Sequence, residues 1–237
     1  NIRKKAGWSD EGKKAAPKMA ALVKLARQEP QPVQLLSMVS YGRCLIYGGG
    51  EAAITLAKKL TDDLGVTVML TPDDADVMVD SFPFTVTTGL IKSAAGSFTR
   101  FNLTIDHFGE ALPHSRSELE FGPLANGVES SCDMLIDLTG GTPLFTGWEK
   151  RDGYFRCDAN DISRLAEVEM TARGMIGEFE KPIYVNFDEN LCAHSRNSLP
   201  GCSRCLDVCP AGAITSAGDT VAIDSGICGG CGYCGAV

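Results

Sequence analysis

The sequence predicts a mixed α/β chain in two unequal parts, a larger α/β domain that contains an antiparallel β segment and a small cysteine-rich α+β module. Three observations support this class. Residues 43–70 follow a β-α-β pattern, residues 84–122 alternate between apolar and polar side chains, and seven of the ten cysteines fall in the last 46 residues. The length of 237 residues allows two domains of ordinary size. We expect an N-terminal helical segment at 1–40, the α/β domain at 41–180 and the module at 181–237.

The first predicted element is an amphipathic helix at residues 14–28. Its apolar side chains recur at helical spacing and share one face: Met19, Leu22, Val23 and Ala26. Pro30 and Pro32 end it, because proline cannot continue a helix. Leu35 to Val39 are expected to form at most one further turn.

The β-α-β pattern begins with a buried strand at Cys44–Tyr47, followed by the glycine turn Gly48-Gly49-Gly50 and a helix. A second strand is predicted at Val66–Leu70. The turn fits the G-x-G-x-x-A fingerprint, in which glycines let a helix N-terminus approach a pyrophosphate. The segment therefore predicts a Rossmann-like α/β domain. It resembles the nucleotide-binding segments of flavin-dependent disulfide oxidoreductases, and that resemblance implies FAD or NAD at Gly48, Gly49 and Gly50.

Two departures weigh against a bound nucleotide. The acidic residue expected about 20 positions on, to hold a ribose hydroxyl, falls near Leu70 and Thr71, with Asp73 and Asp74 slightly late. No arginine pair follows that strand to hold a 2′-phosphate. The sequence thus favours the fold over the cofactor, and in the alternative interpretation the glycines only let the helix pack closely on the strand.

Further strands are predicted along the domain. Asp76–Val79 is a candidate strand, and the alternation at Phe84–Thr88 and Phe101–Asp106, with Gly96 between them, predicts an antiparallel hairpin or small sheet inserted at residues 84–122. Leu119–Phe121 is expected to add a strand.

A buried strand at Met134–Leu138 ends in Thr139-Gly140-Gly141, which resembles the late strand of flavoprotein nucleotide domains. Ligands of open parallel sheets bind at the carboxyl ends of strands. We therefore expect any small molecule to bind between Gly48–Gly50 and Thr139–Thr142. A helix at 161–176 and a linker at Gly177–Pro182 complete the domain, and Ile183–Val185 is predicted as the strand that opens the cysteine-rich module.

The module contains two tight cysteine runs, Cys202-x2-Cys205-x3-Cys209-Pro210 and Cys228-x2-Cys231-x2-Cys234. A cubane iron–sulfur cluster takes one thiolate per iron, and loops with two intervening residues let the backbone surround it. A repeat assigns the seventh cysteine, because Val185–Cys192 matches Val221–Cys228 at an offset of 36 residues. Cys192 is thus the counterpart of Cys228, with an insertion before Cys202.

From about Pro182 onward the chain resembles a bacterial two-cluster ferredoxin. In that family the fourth cysteine of each motif ligates the other cluster. The resemblance implies one [4Fe-4S] cluster on Cys209 together with the run from Cys228 to Cys234. It implies a second on Cys192, Cys202, Cys205 and a cysteine expected directly after Val237. Two clusters are therefore expected in the intact protein, one with only three ligands in this chain, whose ferredoxin-like module we expect to be truncated.

Other interpretations of the cysteines stay open. Paired C-x2-C motifs also bind structural zinc, but a run of three cysteines and the Cys209-Pro210 step suit a cubane better. A disulfide scaffold requires an oxidising compartment, and no signal peptide is recognisable. Cys44, Cys132 and Cys157 lack ligand spacing, so we expect a small buried apolar residue at Cys44 and free thiols at the other two.

Charge and composition limit the functions. The net charge of −8 argues against a general nucleic-acid binder, and no apolar run approaches a membrane span. Residues 1–27 carry eight basic and two acidic residues, which leaves 14 basic and 28 acidic residues elsewhere. The excess of acidic residues outside residues 1–27 suits a basic redox partner protein, although a need for solubility explains this excess equally well.

The sequence therefore favours an electron carrier or oxidoreductase subunit of the cytoplasm, loosely similar to iron–sulfur subunits such as the flavin-containing subunit of heterodisulfide reductase. The alternatives are a flavin- or NAD-linked oxidoreductase that uses the glycine turn, and a non-redox protein with a zinc-bound tail.

Overall fold

The computed structural model describes residues 2–7, 12–28, 32–78, 81–113, 119–145, 151–196 and 201–237. Two compact units are distinguished, Asn1–Gln34 and Leu35–Val237. The first contains a π-helical turn at Arg3–Gly7, a 3-10 turn at Gly12–Ala15 and helix α1 at Ala16–Ala26. The predicted N-terminal helix is confirmed, and none of its residues is buried.

The second unit is a mixed α/β fold with few helices. Its strands are β1 (Leu35–Ser40), β2 (Arg43–Tyr47), β3 (Gly65–Leu70), β4 (Thr85–Ala95), β5 (Phe101–Glu110), β6 (Val128–Cys132), β7 (Met134–Asp137), β8 (Tyr154–Arg156), β9 (Gly177–Pro182), β10 (Ile214–Ala217) and β11 (Thr220–Ile223). Its helices are α2 (Gly50–Leu60), α3 (Ile162–Arg173) and α4 (Arg204–Val208). In the part of the chain that the structure describes, no helix is long and apolar enough to cross a membrane.

A curled seven-stranded mixed sheet forms the centre, in the order β6-β5-β4-β3-β2-β7-β8. Strands β4, β3, β2, β7 and β8 run parallel to one another, whereas β5 pairs antiparallel with both β4 and β6. The predicted hairpin is confirmed. It does not form a separate inserted sheet, because β4 also pairs parallel with β3. Register shifts at Thr88/Leu90 and Ile91/Ser93 bend the hairpin, as bulges do.

The sheet has a hydrophobic core on each face. Ile54 and Leu60 of α2 pack with Val168 of α3 against one face. Phe101 and Leu135 lie in the core of the other face, with Phe145 packed against them. Because the central strands β2 and β7 are covered on both sides, they show continuous apolar runs rather than alternation.

Two segments differ from their expected structure. Leu35–Val39, expected as a turn, and Gly177–Pro182, expected as a linker, are the antiparallel pair β1 and β9. Met38 and Phe179 from this pair pack against the core. The pair forms because each strand is half-buried and offers the other its backbone hydrogen bonds. Strand β1 thereby belongs to the second compact unit, while the predicted domain boundary at residue 180 stays a prediction.

Smaller differences concern short strands. Ile183–Val185, Asp76–Met78 and Leu119–Glu120 are not strands; Phe121 forms an isolated bridge, and Val79 lies outside the described residues. Strands β6 and β8 were not expected from the sequence. Both are edge strands of three to five residues, too short for alternation to reveal them.

Candidate metal centre

Cysteine side chains line two neighbouring cavities in the C-terminal part of the chain. The smaller, of about 20 Å³, is lined by Cys209, Cys228, Cys231 and Cys234, which we call the Cys209 group. The larger, of about 710 Å³, is lined by Cys192, Cys202 and Cys205, the Cys192 group, and again by Cys234. The fold therefore brings Cys209 to the second cysteine run rather than leaving it with its sequence neighbours.

The cysteines line shared cavity walls, but their sulfur atoms do not converge on a single metal position. Within the described residues, no group of three or more His, Cys, Asp or Glu side chains converges as around a single metal ion. Val185, Ile214 and Ile223 line both cavities, so an apolar wall separates the two groups.

The same aspartate turn precedes the first cysteine of each motif. The Asp188 carboxylate accepts a hydrogen bond from the backbone N–H of Asn190 at 3.0 Å. Four residues before the other cysteine, the Asp224 carboxylate accepts one from the N–H of Gly226 at 2.8 Å. This is the local turn that Asp side chains favour. The internal repeat is thus present in the structure as a repeated turn, although only its second copy follows a regular strand, β11.

Backbone groups contact the Cys209 group closely. The N–H of Ala213 donates to the sulfur of Cys209 at 3.3 Å. Gly230 and Gly232 have φ angles of 75° and 80°, which glycine adopts without strain. A Cβ atom at Gly230 would lie 2.7 Å from the Tyr184 ring, so a side chain there would push the loop away.

The Cys192 group lies close enough for its thiols to interact. Burial raises the pKa of Cys205, and the negative charges of the Cys192 and Cys202 thiolates raise it further. The pKa of Cys192 is lowered because the backbone N–H of Ser195 donates to its sulfur. A hydrogen bond of this kind favours the thiolate, which is the metal-binding form.

His194 joins this group to the β10–β11 hairpin, a contact that the sequence did not suggest. The side chain is only 3% exposed. Its Nδ1 lies 3.0 Å from the carbonyl oxygen of Cys202, and its Nε2 lies 2.9 Å from that of Gly218. Both carbonyls accept, and only the imidazolium donates from both nitrogens, so these contacts raise the pKa of His194. His194 fixes one end of the Ala193–Gly201 loop, of which residues 197–200 lie outside the described part.

The glycine turn packs tightly against the end of β7. A Cβ atom at Gly48 would lie 2.6 Å from the Thr139 side chain, and one at Gly49 would lie 2.7 Å from that of Leu138. The N–H of Gly49 donates to the Asp74 carboxylate at 3.2 Å. The two segments expected to border a crevice are therefore in direct contact, and an anionic side chain of the chain itself occupies the N-terminus of α2.

A substitution tests this packing. Gly49→Ala is expected to lower the free energy of unfolding by about 2–3 kcal/mol, since it adds left-handed strain and overlap with Leu138. Gly65→Ala is the matched control, because its Cβ would meet nothing nearer than 3.9 Å. Urea unfolding followed by circular dichroism measures both. Equal stability of the two variants would contradict the packing role.

The three remaining cysteines are buried and lie apart from the two groups. Cys44, Cys132 and Cys157 are between 2% and 8% exposed, and burial raises the pKa of each thiol, that of Cys132 to about 12. All ten cysteines are in the described part of the chain and none forms a disulfide. Buried thiols of raised pKa are unreactive.

Comparison with known proteins gives no assignment. No family model matches this chain, and no curated protein matches it. The site is therefore interpreted from its own residues, which offer seven thiols in two groups.

Proposed function

We propose that the chain is an iron–sulfur protein that transfers single electrons, with [4Fe-4S] clusters held by the Cys209 group and the Cys192 group. One observation carries the proposal. Cys209 lines the same cavity as Cys228, Cys231 and Cys234, although Cys205 is much nearer to it in sequence. This grouping supports crossed ligation, in which the last cysteine of one motif serves the cluster of the other.

The residues present fit such a group chemically. Both sets offer cysteine thiols, with Asp188 as the one carboxylate residue in the wall of the larger cavity, and soft sulfur ligands suit iron–sulfur clusters. The Ala213 N–H donates to the Cys209 sulfur, a contact that moderates the charge of an iron-bound thiolate. A bound cluster supplies reversible one-electron reduction at iron.

Loading of the Cys209 group requires movement of its loop. A cavity of about 20 Å³ has room for about one water molecule. Cys231 is exposed and lies between two glycines at positive φ, so the loop from Gly229 to Gly232 has the freedom to open outward. The larger cavity, of about 710 Å³, needs no such change.

In the proposed function, the sheet domain and the cysteine-rich module have different roles. The parallel strands are ordered β4-β3-β2-β7-β8, with the order reversing at β2, as in doubly wound Rossmann-like sheets. In this proposal that domain carries the ferredoxin-like module and presents it to redox partner proteins, in the cytoplasm. The acidic surface suits a basic partner.

The two competing functions would use different parts of the chain, the glycine turn and the cysteines. A flavin- or NAD-linked enzyme would place a pyrophosphate at the glycine turn, where the Asp74 carboxylate accepts from Gly49 and would repel it. A zinc-bound tail would use the same cysteines without redox activity. The Asp74 contact favours the carrier over the nucleotide enzyme, and metal content separates the carrier from the zinc protein.

Anaerobic preparation of the chain, followed by iron, sulfide, zinc and flavin analysis, tests the proposal. We expect iron and acid-labile sulfide in equal amounts, about four of each per cluster. The dithionite-reduced protein should give electron paramagnetic resonance signals, and denaturation should release no flavin. Zinc without iron would refute the proposal, as would a chain that takes up neither metal under reconstitution.

A further inference from the structure

Three basic side chains from the sheet part of the fold meet the two backbone loops that carry the Cys209 group. Arg100 pairs with Asp224 at 2.8 Å, and the Lys181 ammonium donates to the carbonyl oxygen of Gly226 at 2.8 Å. These contacts lie in the turn that leads to Cys228. Asp224 and Asp152 neutralise the two cations, at 2.8 and 3.2 Å respectively.

Arg151 holds the second loop and differs from the other two cations. Its guanidinium donates to the carbonyl oxygens of Gly96 at 2.8 Å and Ala211 at 3.0 Å, and lies 4.2 Å from the centre of the Phe145 ring. Within the described residues Arg151 makes no ion pair with a carboxylate. Arg151 therefore brings a partly buried positive charge to the loop that begins at Cys209, and Asp224, which pairs with Arg100, also interacts with this charge.

This charge lies beside one of the two groups. Ala211 comes two residues after Cys209, and Ala213 in the same loop donates to the Cys209 sulfur. The wall of the larger cavity contains one charge of each sign, Asp188 and Arg204, both exposed to solvent. A partly buried charge acts more strongly than exposed ones, because water and salt screen it less.

We propose, resting on the function above, that Arg151 selectively raises the reduction potential of the cluster held by the Cys209 group. One electron, supplied by a one-electron reductant such as dithionite, adds one negative charge to the cluster without making or breaking a bond to the protein. The Arg151 cation stabilises that charge, and its bond to Ala211 holds the loop so that the Ala213 N–H stays on the sulfur. Arg151 is thus a positioning residue that links the sheet to one electron site.

Two substitutions separate charge from position. Arg151→Gln removes the charge, whereas Arg151→Lys keeps it but loses the fork that spans Gly96 and Ala211. Arg173→Gln is the matched control, because its guanidinium donates to the carbonyl of Lys59 and pairs with Asp63 and Glu169. The chain carrying its clusters is titrated with dithionite and followed by electron paramagnetic resonance, and the signal absent in Cys231→Ser identifies the Cys209 group.

In Arg151→Gln we expect the ratio of reduced to oxidised cluster in the Cys209 group to fall about tenfold at a fixed potential, a shift of about 59 mV for one electron. The signal of the Cys192 group should move by less than half of this. In Arg151→Lys the reduction potential of the Cys209-group cluster should stay close to that of the unaltered chain. Amide exchange at Ala213 in the metal-free chain should be faster in both Arg151 variants than in Arg173→Gln.

The outcomes that overturn the inference are distinct from failure of the proposed function. Iron–sulfur signals that are unchanged in Arg151→Gln, or that shift equally for both groups, refute the role of Arg151 alone. If Arg151→Gln does not fold, Arg151→Lys provides the test, because lysine keeps the positive charge. A ratio of reduced to oxidised Cys209-group cluster that is tenfold lower in Arg151→Lys than in Arg173→Gln, at the same potential, refutes the effect of charge. An unaltered chain without any iron–sulfur signal refutes both proposals.

Discussion

Replacement of Cys209 by Ser is expected to remove the same cluster that is lost in Cys231→Ser. The two residues are 22 positions apart in the chain, yet they line one cavity. Serine is a poor substitute for a thiolate ligand, so each variant should lose about four iron atoms per chain. The paramagnetic resonance spectra of the two reduced variants should coincide, and the remaining signal should be that of the Cys192 group.

Cys205→Ser is the comparison that distinguishes crossed ligation from ligation in sequence order. Cys205 is only four residues from Cys209, but it lines the other cavity. Its replacement should therefore remove the other signal. Cys157→Ser, outside both groups, should leave iron content unchanged. If the Cys209→Ser spectrum matches that of Cys205→Ser instead, ligation follows the sequence order of the motifs and crossed ligation is wrong.

Sequence spacing predicted part of the cysteine grouping, because the C-x2-C steps within each run are short-range, and the Asp turn before Cys192 and Cys228 is a local structure that its own residues specify. The β-α-β unit was predictable for a similar reason. Its apolar runs, glycine turn and amphipathic helix are all short-range patterns. The place of Cys209 beside the second run was implied only by the resemblance to two-cluster ferredoxins, since the run begins 19 positions after Cys209.

Contacts between distant segments were not predictable in this way. Strand β1 pairs with β9 across about 140 residues, and neither shows the strong alternation of a long strand. His194 and Arg151 bond to backbone carbonyls, Gly218 and Ala211, which carry no side-chain signal in a sequence. The function of the glycines was ambiguous for the same reason, since only the fold shows that Leu138 and Asp74 lie against Gly49.

Asp133 is a further long-range contact that no motif indicated. Its carboxylate is completely buried between the starts of β2 and β7. It accepts hydrogen bonds from the backbone N–H groups of Tyr41 at 2.8 Å and Arg43 at 3.1 Å, and from the Arg43 guanidinium at 2.7 and 3.2 Å. The bond to Asp133 raises the pKa of Arg43. One carboxylate thus joins the two central strands at the edge opposite the glycine turn.

Asp133→Ala is expected to lower the free energy of unfolding by roughly 3 kcal/mol, because a hydrogen bond to a buried charge contributes about 1.5–3 kcal/mol and the N–H groups of Tyr41 and Arg43 lose their buried acceptor. Domains are stable by only about 5–15 kcal/mol, so this is a large part of the whole. Asp133→Asn, which keeps an acceptor oxygen, should lose less.

The exposed pair of Lys92 and Asp106 provides the comparison. Their charged atoms are 3.6 Å apart and the Lys92 side chain is 68% exposed, so Lys92→Ala should change stability by no more than about 1 kcal/mol. Urea unfolding of the metal-free chain measures all three variants, without dependence on cluster content. If Asp133→Ala is as stable as Lys92→Ala, then Asp133 does not hold β2 to β7. The alignment of these central strands, and of the glycine turn that follows β2, would then depend on the apolar core alone.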